Sequence, residues 1–322
     1  MKNVIEDKNF RGHAAMFIAC VLFGLLSPVS KALLNGGEVD AFALTMLRMG
    51  GSAAVFWIAS LFIKKEPVPP RDLLLLFFAS LLGIVFNQGT FVLGVSKTSP
   101  IDASVVTTTT PIFAMIIAAL YLKEPITGKK VLGVVVGAAG ALLLIFSSAH
   151  VASGQHSSSI TGDLLCLFAQ LSFATYFVVF KKMISRYTPI TLMKWMFLYA
   201  TICCLPFGYQ NVRAIDWNML AWSNYAEIGY IVLGGTFIAY LLMPIGQKNL
   251  RPTVACSYNY LQPLVASLVT VMMGMDRFTP IKGFAIILVF AGVYIVTISK
   301  SRAQMEQEEQ QEQKNTPIEE KK

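Results

Sequence analysis

Charged residues are scarce in this chain. They make up only 14% of the 322 residues, whereas hydrophobic residues make up 55%. An ordinary soluble domain carries about 25% charged residues. Uncharged or nearly uncharged runs of about 20 residues, the length that a helix needs to cross a bilayer, recur along the chain. The shortage of charge therefore predicts a membrane protein with several spans and argues against a large soluble protein.

Several chemical signatures are also missing. The five cysteines form no CxxC pair, and the three histidines show no metal-ligand spacing, so we expect buried thiols, no metal and no cofactor. The chain has no GxxxxGK[ST] phosphate-binding loop, which excludes direct use of ATP by this chain. No Asp or Glu stands at the centre of an apolar run. A membrane-embedded enzyme would lack its acid, base or metal there, and we expect no enzyme activity.

The charges that are present cluster between the apolar runs. The net charge is +8, but short Lys and Arg clusters of this kind are typical of cytoplasmic loops, so we expect no nucleic-acid partner. With the N-terminus inside, sixteen Lys and Arg residues fall on the cytoplasmic side and five on the other side. This asymmetry predicts cytoplasmic termini and a multi-pass protein of the cell inner (plasma) membrane. The ten candidate spans are approximately 14–34, 41–63, 73–95, 103–122, 131–146, 164–180, 190–209, 226–245, 254–275 and 284–298.

The two halves of the chain match at a constant spacing. Seven pairs of residues lie 152 positions apart: Gly83 and Gly235, Gly94 and Gly246, Pro100 and Pro252, Pro111 and Pro263, Glu124 and Asp276, Thr127 and Thr279, and Gly140 and Gly292. Each half holds five spans, and an odd number reverses the orientation of the second copy. The fold class that follows is an all-α membrane protein with ten transmembrane helices in two inverted five-helix repeats, residues 1–149 and 150–302. A polar cytoplasmic tail, 303–322, completes the chain.

Two prolines interrupt matching spans. Pro111 and Pro263 cannot donate to the carbonyls of Thr107 and Asn259, so each predicts a helix break. Paired interrupted spans in two halves are the strongest sequence indication of a transporter's binding site. We expect a substrate cavity lined by Asn259, Gln262, Tyr258, Thr107, Thr110, Asn87, Gln88, Tyr240, Tyr176 and Arg48. The alternative is that these side chains only join helices by hydrogen bonds, and that Arg48 extends towards the membrane surface instead of binding a substrate carboxylate.

The chain also resembles the EamA family of the drug/metabolite transporter superfamily. The resemblance rests on the stretch FGLLSP at 23–28, Leu47–Arg48, Pro111 with LKEP at 122–125, and the glycines Gly133, Gly137 and Gly140. The chain departs from the family in having Phe23 before Gly24, where Trp is commoner. The resemblance implies export of small metabolites, often amino acids, through a cavity between the halves.

We therefore interpret the chain as a secondary transporter that works by alternating access. Its expected partners are a small-molecule substrate and the lipid bilayer, and the oligomeric state stays open. The competing interpretation is a membrane scaffold or sensor without flux.

Overall fold

The computed structural model describes residues 2–95, 106–149, 160–272 and 279–299, and within these ranges the chain is helical and contains no strand. Pro100, Asp276 and the predicted tail lie outside them. The helices are α1 (Lys2–Asn35), α2 (Ala41–Ala59, extended by the 3₁₀ turn Ser60–Phe62), α3 (Pro70–Ser80, Leu81–Phe86 and Asn87–Val95), α4 (Thr110–Tyr121), α5 (Gly128–Ala149), α6 (Ile160–Val179), α7 (Pro189–Ala214), α8 (Trp222–Gly229, Tyr230–Ile238 and Ala239–Asn249), α9 (Pro252–Ser257, Tyr258–Tyr260 and Leu261–Met272) and α10 (Pro280–Thr297). Two short helices, Lys181–Ile184 and Trp217–Met219, lie in the connections on either side of α7.

Seven of these helices are long and apolar enough to cross a membrane: α1, α2, α3, α6, α7, α8 and α10. The outer surface of the bundle carries large apolar side chains, such as Ile58, Leu120 and Ile287, that stay exposed. Helices satisfy their own backbone hydrogen bonds, which hydrocarbon requires. The prediction of a multi-pass helical membrane protein is confirmed. The count of ten spans and the cytoplasmic position of the termini stay predictions.

Six of the described helices form a closed ring. Helix α1 contacts α8 and α9, α6 contacts α3 and α4, and α4 contacts α9. A hydrogen bond between the side chains of Gln88 and Tyr240 joins α3 to α8 and completes the ring. Helices α2 and α7 pack together outside it, as do α5 and α10. The ring therefore gives the bundle an interior bounded by residues from both halves of the chain.

The α5–α10 pair approaches so closely because glycine faces glycine. A Cβ atom built on Gly292 would lie 2.4 Å from the backbone nitrogen of Gly137 and 2.8 Å from the carbonyl oxygen of Gly133. Any side chain at this position would meet backbone, which cannot move aside. Gly133 and Gly137 form a GxxxG motif, and here it provides a helix-packing surface, as such motifs commonly do in membranes.

Helices α3 and α8 are each widened by a π-helical segment. The segments are Leu81–Phe86 and Tyr230–Ile238, and they end directly before Asn87 and Ala239. Asn87 and Ala239 are 152 positions apart. Segments of this kind are rare and frequently lie at functional sites. The extra residue in the turn changes the direction of the side chains that follow, which include Asn87, Gln88 and Tyr240.

Candidate functional site

The site begins with Arg48, which is 8% exposed and lies about 10 Å along α2 from the start of that helix. Its Nε atom donates to the hydroxyl of Thr236 at 3.2 Å, and its Nη1 atom donates to Oε1 of Gln88 at 3.1 Å. Among the residues that the structure describes, no group accepts a hydrogen bond from Nη2 of Arg48. Two other helices therefore hold Nε and Nη1 of this buried guanidinium, and Nη2 can still donate a hydrogen bond to a ligand.

The second polar element is the pair of amides on α3. Nε2 of Gln88 donates to the hydroxyl of Tyr240 at 2.9 Å, so Gln88 lies between Arg48 and Tyr240. Nδ2 of Asn87 donates to the carbonyl of Ala169 on α6 at 3.1 Å. Gln88 and Tyr240 are 152 positions apart, the spacing on which the predicted repeats rest.

Aromatic rings surround this polar group. The ring of Tyr240 has edge-to-face contacts with Phe23, at 5.3 Å between centroids, and with Phe197, at 5.1 Å. Phe56 stacks on Phe197 at 5.4 Å and contacts Phe237 at 4.6 Å. Such contacts hold Tyr240 in one orientation and keep the surroundings of Arg48 apolar. An apolar wall next to a single buried cation suits a solute with an anionic group and a hydrocarbon part.

At the break in α4, the freed carbonyl of Thr107 finds a side-chain partner. The hydroxyl of Thr110 lies 2.8 Å from this carbonyl and 2.7 Å from Oε1 of Gln170 on α6. Because a hydroxyl has one hydrogen, it donates to one of these oxygens at a time. The turn at residues 108 and 109 comes just before Thr110, where the helix resumes with Pro111 in its first turn.

The break in α9 takes a 3₁₀ form over Tyr258–Tyr260, before Pro263. Oδ1 of Asn259 accepts a hydrogen bond from Nε2 of Gln262 at 3.2 Å, and the thiol of Cys20 on α1 lies 3.9 Å from the same oxygen. The hydroxyl of Tyr258 lies 2.7 Å from Nδ1 of His13, also on α1. The break thus turns one side of α9 towards α1 with a row of polar side chains.

Tyr176 occupies a sealed position between three helices. Its ring lies against Gly83 on α3, and its hydroxyl donates to Oε1 of Gln247 on α8 at 3.4 Å. Tyr176 is fully buried and Gln247 is 2% exposed. In this conformation the pair joins α6 to α8 and borders no open space.

The predicted site residues therefore divide into two groups by exposure. The structure buries Arg48, Thr110, Tyr176, Tyr240 and Tyr258, and it leaves Asn87, Gln88, Thr107, Asn259 and Gln262 half-buried. Arg48, Gln88 and Tyr240 form one connected group, with Asn87 beside it. Thr107 with Thr110, and Asn259 with Gln262, form two further groups on other sides of the same ring of helices.

Three polar residues that contact predicted site residues escaped the sequence prediction: Thr236, Gln247 and His13. Thr236 precedes Tyr240 by four residues, and Gln247 follows it by seven, so helical periodicity on α8 is the signal that could have found both. His13 and Gln247 lie just beyond the predicted ends of their spans. No group of three His, Cys, Asp or Glu side chains within the described ranges could hold a metal ion.

One end of the bundle is closed by a polar cluster of loops. Asp72, at the start of α3, accepts a hydrogen bond from the hydroxyl of Tyr187 and lies 3.6 Å from Nη1 of Arg186. Glu66 accepts hydrogen bonds from the backbone and the hydroxyl of Thr188, at 3.0 and 2.9 Å. Burial, together with the hydrogen bond to Asp72, raises the pKa of Tyr187 to about 12. This phenol therefore stays protonated at neutral pH and ties the α6–α7 connection to α3.

Comparison with known proteins agrees with this architecture. The sequence profile of the EamA-like transporter family matches residues 10–146 and again residues 160–298. The chain is 19% identical to the uncharacterized transporter YetK of Bacillus subtilis, over 93% of this chain and 90% of that protein. It is 23% identical to the WAT1-related protein At5g07050 of Arabidopsis thaliana, over 85% of this chain and 77% of that one. A protein of known crystal structure shares the fold with a TM-score of 0.73 and 19% identity, over 91% of this chain and 98% of the other. The chain belongs to the EamA-like transporter family, as its sequence motifs predicted.

Proposed function

We propose that this membrane transporter is a secondary transporter that exports small carboxylate-bearing metabolites, such as amino acids, across the plasma membrane by alternating access. The observation that carries this proposal is Nη2 of Arg48, which is buried where α3 meets α8 and has no acceptor among the described residues. A buried charge is costly in a membrane unless it faces water or a partner. A substrate carboxylate supplies such a partner for part of each transport cycle.

The geometry of Arg48 suits an oxyanion such as a carboxylate. Nε and Nη1 each already donate one hydrogen bond, to Thr236 and Gln88. Nη2 and the second hydrogen of Nη1 remain to donate, and adjacent nitrogens of a guanidinium match the two oxygens of a carboxylate. The aromatic side chains around Tyr240 accommodate an apolar side chain of the substrate.

Alternating access is proposed from the correspondence between the two halves, which we take as inverted repeats, residues 1–149 and 150–302. Gly94 packs on Cys166, and Gly246, at the spacing of 152, packs on Met16. Likewise α1 contacts α8 and α9, while α6, five helices later, contacts α3 and α4. Two halves with equivalent contacts can exchange conformations, and this exchange moves a central site from one membrane face to the other.

The proposal is tested by efflux from proteoliposomes. The purified chain is reconstituted into liposomes that are loaded, one at a time, with each of the standard radiolabelled L-amino acids. We expect efflux above that of protein-free liposomes for at least one of them. An unlabelled amino acid should compete for transport, whereas the corresponding amine, which lacks the carboxylate, should not.

Two outcomes would contradict the proposal. If no amino acid leaves the liposomes, the chain is not an amino-acid exporter, and a scaffold or sensor without flux becomes the better interpretation. If amines without a carboxylate compete as well as the amino acids do, the role of Arg48 in substrate recognition is refuted. Circular dichroism of the reconstituted protein distinguishes either result from unfolding.

A further inference from the structure

We propose that His13 is the proton-binding group of a proton-coupled exchanger, and that its hydrogen bond to Tyr258 links protonation to movement of α9. This inference rests on the transport function proposed above. His13 lies on α1 inside the apolar stretch Asn9–Leu34. Its Nδ1 atom is 2.7 Å from the hydroxyl of Tyr258, and the two ring centroids are 5.9 Å apart.

The contact is suited to coupling because Tyr258 begins the interrupted segment of α9. The 3₁₀ turn Tyr258–Tyr260 separates two α-helical parts and includes Asn259, a predicted substrate ligand. Oδ1 of Asn259 in turn accepts a hydrogen bond from Gln262. A change at Tyr258 therefore acts directly on the part of the helix that carries these two polar side chains.

Protonation reverses the hydrogen bond between the two rings. We take neutral His13 as the Nε2–H tautomer, in which Nδ1 accepts a hydrogen bond from the hydroxyl of Tyr258. In the imidazolium form Nδ1 carries a hydrogen and donates to the same oxygen, so the hydroxyl hydrogen of Tyr258 has to turn to another acceptor. Imidazole is the side chain whose charge changes near neutral pH. One bound proton thus changes the orientation of one side chain at the break in α9.

Several other ionisable groups lie near this end of α1, and three cations among them donate hydrogen bonds to groups other than His13. Gly12 lies against Asn249 and Leu250, which places this part of α1 beside the α8–α9 turn. Among the described residues, the charged and titratable groups on α1 and on the elements near this part of it include Lys248 on α8, Arg251 in the turn, Lys181 before α7, Tyr258 and Cys256 on α9, and Arg11 and Cys20 on α1 itself. Glu124 acts electrostatically on Lys181 and Arg251.

Three of these cations donate to backbone carbonyls. Lys248 donates to Tyr187, Lys181 donates to Leu250 at 2.6 Å, and Arg251 donates to Thr297 and Ser299 at 3.0 and 2.7 Å.

The coupled step requires no chemistry beyond proton binding. His13 takes up one proton from the side to which the transporter is open and releases it on the opposite side, in exchange for one substrate molecule. Only the imidazole N–H bond forms and breaks. With the membrane potential clamped, a difference of about one pH unit would sustain about a tenfold gradient of a zwitterionic substrate at this stoichiometry.

The test separates net transport from exchange. Proteoliposomes containing the whole chain, with the membrane potential clamped by potassium and valinomycin, are given the radiolabelled L-amino acid that shows the largest efflux. With the liposome interior about one pH unit more acidic than the outside, we expect wild-type protein to accumulate the amino acid inside about tenfold. His13→Gln should lose this accumulation and still exchange labelled for unlabelled substrate at equal pH. His156→Gln serves as the matched control and should behave as the wild type does.

Several results would overturn the proposal. Accumulation by His13→Gln at the wild-type level would do so, and so would wild-type exchange that does not respond to the pH difference. The second result leaves the transport function standing.

If no amino acid is transported, the function proposed above fails, and proton binding is tested alone by NMR of the protein labelled on histidine. The His13 resonance, identified by its absence from His13→Gln, should titrate with pH and should shift its midpoint in Tyr258→Phe. A resonance that does not titrate refutes the inference.

Discussion

Replacing Arg48 with methionine separates substrate recognition from folding. Methionine is unbranched and uncharged, so it fills part of the same space without the guanidinium. The substitution removes the free Nη2 and with it a charge-assisted contact to a carboxylate. Hydrogen bonds to charged groups contribute about 1.5–3 kcal/mol. At about 1.4 kcal/mol for each factor of ten, the half-saturating substrate concentration should rise about 10- to 100-fold.

The effect on stability should be small, because two opposing contributions nearly cancel. Arg48→Met loses two hydrogen bonds, each contributing about 1 kcal/mol, and leaves Oε1 of Gln88 without that donor. It also removes a buried charge whose Nη2 has no partner among the described residues, which is itself unfavourable. The hydroxyl of Thr236 keeps its bond to the carbonyl of Ile231 at 2.7 Å. We expect the melting temperature in detergent to change by less than about 4 °C.

The assay measures amino-acid efflux from proteoliposomes across a range of substrate concentrations, together with thermal unfolding of the same preparation. Ser52→Ala is a matched control, since Ser52 is fully buried one turn further along α2 and donates to the carbonyl of Val232 at 3.2 Å. The control should leave the half-saturating concentration unchanged. An unchanged value in Arg48→Met, or a loss of folded protein in that variant, would refute the reasoning and assign Arg48 a structural role.

Two further predictions concern stability. Gly292→Ala should destabilise the protein by about 1–3 kcal/mol, because the new Cβ would lie 2.4 Å from the backbone of Gly137. The control Gly229→Ala, whose Cβ would meet no atom within 4 Å, should not destabilise it. Equal melting temperatures of the two variants would contradict this account of the α5–α10 contact. Burial opposes ionisation of Glu66, but hydrogen bonds from Thr188 outweigh it and hold the pKa of Glu66 below its ordinary value of 4.5. The stabilisation that ionised Glu66 provides is complete above about pH 4.5, and it is lost as the pH falls through the lower pKa that Glu66 has in the folded protein. Glu66→Gln should therefore lower the melting temperature by about 2 °C near pH 7 and leave it unchanged near pH 3, and a difference independent of pH would disprove this interpretation.

The class of fold could be predicted because it depends on where apolar residues lie along the chain, and the family could be predicted because its short motifs are present in this sequence. Runs without charge identify membrane helices, and the prolines at 111 and 263 mark the positions where helices break. The spacing of 152 also made Gln88 and Tyr240 equivalent. The hydrogen bond between these two side chains could not be predicted, because the spacing does not say which helices lie next to each other.

What the sequence did not predict depends on how each helix is rotated. The π-helical segments Leu81–Phe86 and Tyr230–Ile238 turn Gln88 and Tyr240 towards each other, and no residue pattern announces such a segment. His13 and Gln247 were missed for a different reason. Hydropathy places the end of a span at the last apolar residue, whereas these helices continue and bring their polar ends into the bundle.

The central claim is that the polar side chains of the broken helices border a solute path that opens to both membrane faces in turn. The direct measurement is the labelling of Gln262→Cys by a membrane-impermeant maleimide, in a background with the five native cysteines replaced, using right-side-out and inverted vesicles. We predict labelling in both preparations, slowed by transported amino acid, and no labelling of Leu268→Cys, an exposed apolar position on the same helix. Labelling of Gln262→Cys only by a lipid-soluble maleimide, with no effect of substrate, would contradict the account.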